Sequence, residues 1–230
     1  MIRKLSTLGF VVVAVLGLAA IWTASASAIG EKFHSEIEPT VLTGTNVGED
    51  TFTAGAFSVK CKATVMSGTW ATKTPETMTL HPTYTGCEDS EKVTTGVTTT
   101  GCNLIYWSER LSGNDAKVEI ECEAGQKIKI AVPGCTIEIA GQVIPFGATY
   151  ANGLFGGVPD ITVKSTMEVA FTKNGLFCGA IMGNKGQFTG STTVTGYLDK
   201  CNAGECPFAP GGMGDKDGYK EGNISGIEWK

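Results

Sequence analysis

Eight cysteines are the residues of this chain whose type and spacing most directly imply chemistry. The chain has only two histidines, His34 and His81, and neither lies beside a pair of cysteines. A zinc site needs four closely grouped nitrogen or sulfur ligands, and a dithiol redox centre needs a C-x-x-C spacing, which this sequence lacks. The cysteines therefore predict disulfide bonds formed in an oxidising compartment, and we expect neither a metal nor another cofactor.

Two of the disulfide pairs follow from hairpin geometry. Residues directly opposite each other in an antiparallel hairpin are equally distant from its turn. Cys61 and Cys87 are symmetric about Thr74, which lies in a stretch of turn-forming residues. Cys102 and Cys122 are symmetric about a second such stretch, beside a Gly-Asn dipeptide. We therefore expect the bonds Cys61–Cys87 and Cys102–Cys122.

The other four cysteines have weaker geometric signals. Cys201 and Cys206 enclose a short segment and can close a compact loop. Cys135 and Cys178 are also symmetric about a Gly-Gly pair, although they lie far from it along the chain. These observations favour the bonds Cys201–Cys206 and Cys135–Cys178. One alternative stays open, which pairs Cys122 with Cys135 and Cys102 with Cys178.

Carboxylates are the remaining groups that could catalyse a reaction. The sequence contains no nucleophile elbow, zinc-protease helix or phosphate-binding loop, so no catalytic residue is assigned and we expect no enzyme. A glycosidase needs only two carboxylates, and it stays open as an alternative for that reason. The acids on predicted strands are Glu119, Glu121, Glu138 and Glu168.

A short acidic segment near the C-terminus resembles part of a calcium-binding loop. On the twelve-residue template, positions one and twelve would be Met213 and Ile224, and neither side chain is a calcium ligand. The EF-hand pattern is therefore incomplete. A looser calcium site formed by Asp215, Asp217 and Glu221 is the weak alternative to a solvated turn.

One apolar run offers a candidate ligand platform. Residues 104–107 are apolar at every position, so both faces of the predicted strand carry apolar side chains. Burial of both faces in a core is the favoured interpretation. If Ile105 and Trp107 are exposed instead, they form the best candidate platform for a sugar or a protein.

Residues 1–28 have the three parts of a secretory signal. A short basic start is followed by an uncharged, apolar run over residues 5–21 and by small residues that suit a signal peptidase. We place the cleavage between Ala28 and Ile29. An uncleaved membrane anchor is the alternative, because the apolar run is close to the lower length limit of a membrane span.

The charge of the chain limits its partners. The formal net charge is −5, and it becomes −7 when the two basic residues of the leader are removed. The lysines are scattered and form no basic stripe, so nucleic acid is not an expected partner. After cleavage no membrane contact is expected, because no second apolar run of spanning length follows.

The apolar pattern predicts an all-β protein. Valine, isoleucine, threonine and aromatic residues alternate in short runs, and the 31 glycines interrupt nearly all of them. We expect an antiparallel β-sandwich, or two small stacked β-units, linked by disulfides and preceded by the signal helix. The predicted divisions are a 29–50 extended segment with an edge strand near 40–42, one or two β-domains over 51–200, and a 201–230 Gly/Pro-rich loop with a final edge strand.

Several short motifs resemble a group of uncharacterised secreted proteins of actinobacteria. They are FSVKC at 57–61, PTYTGC at 82–87, CEAGQKI at 122–128, GCTI at 134–137 and the Phe177-Cys178 region. The resemblance covers about residues 57–200 and implies an exported β-protein with six shared cysteines. Cys201 and Cys206 are then an addition in this chain, which supports a bond between them. The resemblance implies no activity and no binding residue.

Export, oxidation and the lack of a catalytic motif together favour a role in binding. We expect a secreted, non-enzymatic extracellular protein with a binding, cell-surface or matrix role. Its partner would be an extracellular protein or a glycan. The alternatives are a secreted carboxylate-based hydrolase of glycosidase type and a calcium-stabilised binding module.

Overall fold

The computed structural model describes residues 32–35, 40–112, 115–155, 158–198, 224–225 and 227–230. These residues form β-strands and one short 3-10 helix, so the prediction of an all-β protein is confirmed. No helix in these ranges is long and apolar enough to cross a membrane.

Several predicted features lie outside the described residues. They are the signal helix with its cleavage between Ala28 and Ile29, the bond Cys201–Cys206, and the calcium candidates Asp215, Asp217 and Glu221. These features stay predictions.

The main sheet is an antiparallel barrel in which eight strands form a closed ring. The strands are β2 (Thr40–Asn46), β4 (Phe57–Trp70), β5 (Thr77–Asp89), β7 (Cys102–Ser112), β8 (Asp115–Cys122), β11 (Gln142–Phe155), β12 (Val158–Ala170) and β14 (Lys185–Leu198). Their order around the ring is β2-β4-β5-β7-β8-β11-β12-β14, and β14 pairs with β2. A short strand, β3 (Asp50–Ala54), continues the ring between β4 and β14 beyond the end of β2.

Two smaller sheets accompany the barrel. The small sheet has the order β13-β10-β9-β6, and its strands are β6 (Gly96–Thr98), β9 (Ile128–Val132), β10 (Cys135–Ile139) and β13 (Thr172–Asn174). The terminal ribbon pairs β1 (Phe33–Ser35) with β16 (Ile227–Trp229). A further short strand, β15 (Ile224–Ser225), pairs with the end of β14.

The closed barrel differs from the predicted sandwich or pair of stacked β-units because β12 and β14 pair with each other. Their register runs from Ile161 opposite Val194 to Ala170 opposite Lys185. The sequence also suggested an edge strand near 40–42, whereas β2 lies inside the ring with a partner on both sides. Pairing between distant strands leaves no local pattern in a sequence, so neither feature could be expected from residue types.

Some glycines lie inside long strands, where the sequence indicated turns. Gly68 lies within the fourteen residues of β4, and a Cβ at this position would come within 2.2 Å of the Thr79 carbonyl oxygen. Only glycine permits this close approach of β4 to β5. The glycines that suggested many short strands therefore allow fewer, longer and closely packed strands.

The core fills the barrel and extends into the small sheet. The largest fully buried barrel side chains include Tyr106, Leu42, Met66, Leu80 and Ile161. From the small sheet, Ile130, Ile137 and Ile139 are also buried and belong to the same hydrophobic cluster. Burial of apolar surface in this shared core is the main stabilising contribution.

The terminal ribbon covers the end of the barrel where β4 ends. Phe33 is fully buried and stacks on Trp70, with 5.6 Å between the ring centroids. Trp229 lies 5.4 Å from the ring of Tyr150 and donates an Nε1 hydrogen bond to the Ser108 carbonyl oxygen. The ribbon thus brings the two ends of the described chain together, and the Lys32 and Lys230 backbones exchange two hydrogen bonds.

Three disulfides reinforce the opposite end of the barrel and the small sheet. Cys61–Cys87 joins β4 to β5, and Cys102–Cys122 joins β7 to β8. In both bonds the two cysteines are direct register partners, with Cα atoms 3.9 and 4.0 Å apart. Cys135–Cys178 joins β10 to the 3-10 helix (Cys178–Ala180). These are the pairs that the sequence favoured.

The close approach at Gly68 predicts a specific loss of stability. The substitution Gly68→Ala would force β4 away from the Thr79 carbonyl oxygen on β5. We expect it to lower the free energy of unfolding by about 1–3 kcal/mol, as other substitutions that overpack a core do. Gly96→Ala is the matched control, because its Cβ would meet only an ordinary contact at 3.9 Å. Equal denaturant midpoints for the two variants would contradict this packing.

Candidate functional site

Trp107, the predicted ligand platform, lies on β7 with one ring face already in contact with a cation. The Lys117 ammonium lies 3.3 Å from the centroid of the Trp107 ring. Ile105 is half-buried between Thr79 on β5 and Glu119 on β8. A sugar stacking on that face of Trp107 would have to displace Lys117, so we do not place the candidate site here.

The four strand-borne acids lie on the strand faces opposite the core. Glu138 accepts a 2.8 Å hydrogen bond from Lys127, which lowers its pKa below the ordinary value. Glu168 accepts a 2.6 Å hydrogen bond from Lys185. The other two, Glu119 and Glu121, share one face of β8, opposite the face that buries Val118 and Ile120 in the core. Two of the four acids are therefore bonded to lysines, and the other two lie side by side on the outer face of one strand.

Neither histidine belongs to a cluster of metal ligands among the described residues. His34 lies on β1 opposite Glu228, and His81 Nδ1 lies 3.4 Å from Asn103 Oδ1. Across the described ranges, no three histidine, cysteine or acidic side chains are grouped closely enough to hold a metal ion.

An internal cavity lies between the barrel and the small sheet. Its walls are almost wholly apolar and include Val59 and Met167 from the barrel and Ile128 from the small sheet. Its volume is about 50 Å³. An engineered cavity that holds benzene has roughly 150 Å³, so this space is too small for an organic ligand of ordinary size.

Asp50 is the one acid on the wall of this cavity, and it is only 2 % exposed. Its Oδ2 accepts a hydrogen bond from the Thr64 hydroxyl, whereas its Oδ1 has no hydrogen-bond partner among the described residues. Oδ1 lies against Gly190, where a Cβ would be 2.3 Å away. Desolvation raises the pKa of Asp50, and the Thr64 hydroxyl and the nearby Ser191 backbone oppose this shift.

A surface groove offers the larger space. It has a volume of about 370 Å³ and lies where four connections between strands meet beside the small sheet. Its apolar walls come from Phe57, Val93, Pro133, Phe177 and Ile181. This volume falls within the range of small-molecule and cofactor sites, about 300–1,000 Å³.

The first wall of the groove is the apolar loop, residues 175–182, which follows β13. Its disulfide to β10 through Cys178 fixes the loop, and the Phe177 amide donates a 3.1 Å hydrogen bond to the Gly134 carbonyl. Lys173 Nζ donates a 2.7 Å hydrogen bond to the Ile181 carbonyl. The apolar loop is therefore held at both ends by bonds to its surroundings.

The exposed side chains of the apolar loop are large and hydrophobic. Leu176 is 93 % exposed, Phe177 is 75 % exposed and Met182 is 65 % exposed, whereas Ile181 is buried. The Phe177 ring packs over Gly134, whose φ of +71° and lack of a Cβ leave room for it. Buried Ile181 anchors the loop, and its neighbours are presented to solvent.

The second wall is the acidic loop, residues 89–93, which follows β5. The Asp89 Oδ1 accepts hydrogen bonds of 2.9 Å from the amides of Glu91 and Val93, and these bonds close the loop tightly. Val93 is 39 % exposed on the rim. Asp89 and Glu91 both line the groove.

The sequence pointed to Trp107 and did not identify this groove. One feature of the sequence could have indicated the groove: the connection between two predicted strands contains four large apolar residues, Leu176, Phe177, Ile181 and Met182. Large apolar side chains are unusual in a connecting loop, which normally lies on the surface. Residue types alone could not show which of them are exposed.

Comparisons with known proteins assign no function to the chain. No protein-family model matches the chain, and no curated protein or solved structure is similar to it. Function therefore has to be inferred from the geometry of the groove.

The buried carboxyl of Asp50 predicts a pH-dependent stability. The pKa of Asp50 in the folded protein is raised above its ordinary value of 3.8. The stabilisation by protonated Asp50 is therefore fully present below pH 3.8, and it is lost as the pH rises through the raised pKa. We expect Asp50→Asn to melt at a higher temperature than the original protein at neutral pH, with a difference that shrinks towards pH 3.8. Glu109→Gln, which changes an exposed carboxyl, is the control. A melting difference independent of pH would contradict the assignment.

The disulfide in the apolar loop predicts a second effect. A Cys135→Ser/Cys178→Ser variant should lose roughly 3–4 kcal/mol of stability through the entropy of the reopened chain. The amides of Phe177 and Ile181 should exchange hydrogen faster, while those shared by β12 and β14 stay protected. A Cys102→Ser/Cys122→Ser variant should leave exchange in the apolar loop unchanged. Unaltered protection of Phe177 in the first variant would show that the disulfide does not hold this loop.

Proposed function

We propose that this chain is an exported, non-enzymatic binding protein that contacts an extracellular protein through the groove between the apolar and acidic loops. The observation that carries the proposal is the exposed apolar rim. Two exposed large hydrophobic side chains, Val93 and Phe177, line the groove, and exposed Leu176 precedes Phe177 in the same loop. Exposed apolar side chains grouped around a concave space are typical of protein-binding surfaces.

The fixed position of the apolar loop supports the same proposal. Ordering a loop on binding costs free energy, so a surface that is already held in place binds more tightly. The disulfide of Cys178 and the hydrogen bonds of Phe177 and Lys173 supply this order before any partner arrives. The loop keeps Phe177 exposed in spite of the favourable free energy that its burial would contribute.

Three intramolecular disulfides support an oxidising, extracellular location. The predicted leader points the same way. A protein fits the groove better than a glycan does, because seven of its ten lining residues are apolar and sugar recognition relies on many hydrogen bonds. The polar side chains that line the groove are those of Asp89, Ser90 and Glu91.

Two single substitutions test the proposal. We immobilise the oxidised protein and measure retention of the surface and secreted proteins made by the same cells. Val93→Ser and Phe177→Ser should each weaken the retained complex, Phe177→Ser by about tenfold or more, as expected for an apolar anchor. Both side chains are exposed, so the variants should fold normally.

The matched control is Leu154→Ser. The exposed fraction of Leu154 is 72 %, similar to that of Phe177. Leu154, however, lies on the β11–β12 hairpin, away from the groove. This variant should retain partners as the original protein does. Equal retention by the Phe177→Ser variant, or an equal loss in the Leu154→Ser variant, would refute binding through the groove.

A further inference from the structure

We infer that the groove accepts an extended protein segment in which a lysine or arginine flanks one or two large apolar side chains. This inference rests on the proposed function and names the chemistry of the partner. Apolar side chains of the segment would contact Phe177 and Val93, and its cation would lie beside Glu91.

The charges around the groove carry the inference. Its lining includes the carboxylates of Asp89 and Glu91 and no basic residue. The Glu91 side chain is exposed and has no ion-pair or hydrogen-bond partner within the described ranges. The groove therefore presents an unneutralised negative charge next to an apolar surface.

A neighbouring hollow is lined by acids that are already paired with lysines. In it Lys60 lies 3.6 Å from Glu49, and Lys62 lies 2.6 Å from Glu88. Lys92 lines that hollow and not the groove. Lys173, the lysine nearest the apolar loop in sequence, donates to the Ile181 carbonyl. The side chains around Glu91 thus leave its charge available to a partner.

Charge also argues against the other occupants of such a groove. A second copy of the chain would bring a second Glu91 and a second net negative charge to the interface. A membrane rich in anionic lipid would be repelled by the same acids. A cationic segment gains from these charges in both rate and specificity of association.

The test is a selection of random peptides displayed on phage against the whole oxidised protein. Four immobilised forms are used in parallel: the original protein, Phe177→Ser, Leu154→Ser and Glu91→Lys. We expect the original protein and Leu154→Ser to enrich sequences with a lysine or arginine near phenylalanine, leucine or methionine. The Glu91→Lys variant should enrich acidic neighbours of the same apolar residues instead.

One enriched peptide is then synthesised, and its affinity is measured by fluorescence anisotropy. Glu91→Gln should weaken binding by about two- to fivefold at low ionic strength, and added salt should remove most of this difference. Phe177→Ser should weaken binding about tenfold or more at any salt concentration. Thermal melts of each variant confirm that the fold is retained.

The outcomes separate this inference from the proposed function. Enriched peptides that depend on Phe177 but show no basic preference, or that bind Glu91→Gln equally well at low salt, overturn the cationic partner and leave the groove as the binding site. Peptides that bind the Phe177→Ser variant as well as the original overturn both. Failure to enrich any sequence above the Phe177→Ser background also overturns both.

Discussion

The hydrogen-bonded pairing of β12 with β14 is the constraint on which the rest of the structure depends. It runs from Ile161–Val194 to Ala170–Lys185 and closes the sheet into a barrel. A closed sheet has no edge along its length and needs cover only at its two ends. The terminal ribbon covers one end, and the small sheet covers the other. The groove forms at this second end, where loops from the barrel and from the small sheet meet.

Local features of the fold could be predicted from the sequence, and distant ones could not. The alternation of apolar residues predicts the strands. Symmetry about turn-forming residues predicts the bonds Cys61–Cys87 and Cys102–Cys122, because hairpin partners are close in sequence. The β12–β14 closure has no comparable signal. Gly68 shows the same limit, because its role depends on the carbonyl of Thr79 on a neighbouring strand.

The candidate site was less predictable still, because exposure is a property of the whole fold. Trp107 stood out as an aromatic residue on an apolar strand, yet Lys117 on β8 covers one face of its ring. Phe177 has no comparable signal in the sequence, and its exposure follows from the bond between Cys178 and β10 and from the space above Gly134. The burial of Asp50 likewise depends on strands that are far apart in sequence.

The closed barrel thus holds an apolar loop and an acidic loop in fixed positions, and contact through them is the function that this geometry favours. Closure itself is tested most directly by nuclear Overhauser contacts in solution. The account predicts contacts between backbone protons of Val163 and Thr192, which are register partners across β12 and β14. If these contacts are missing while those between Phe52 and Phe188 across β3 and β14 are present, the sheet is open and the account is wrong.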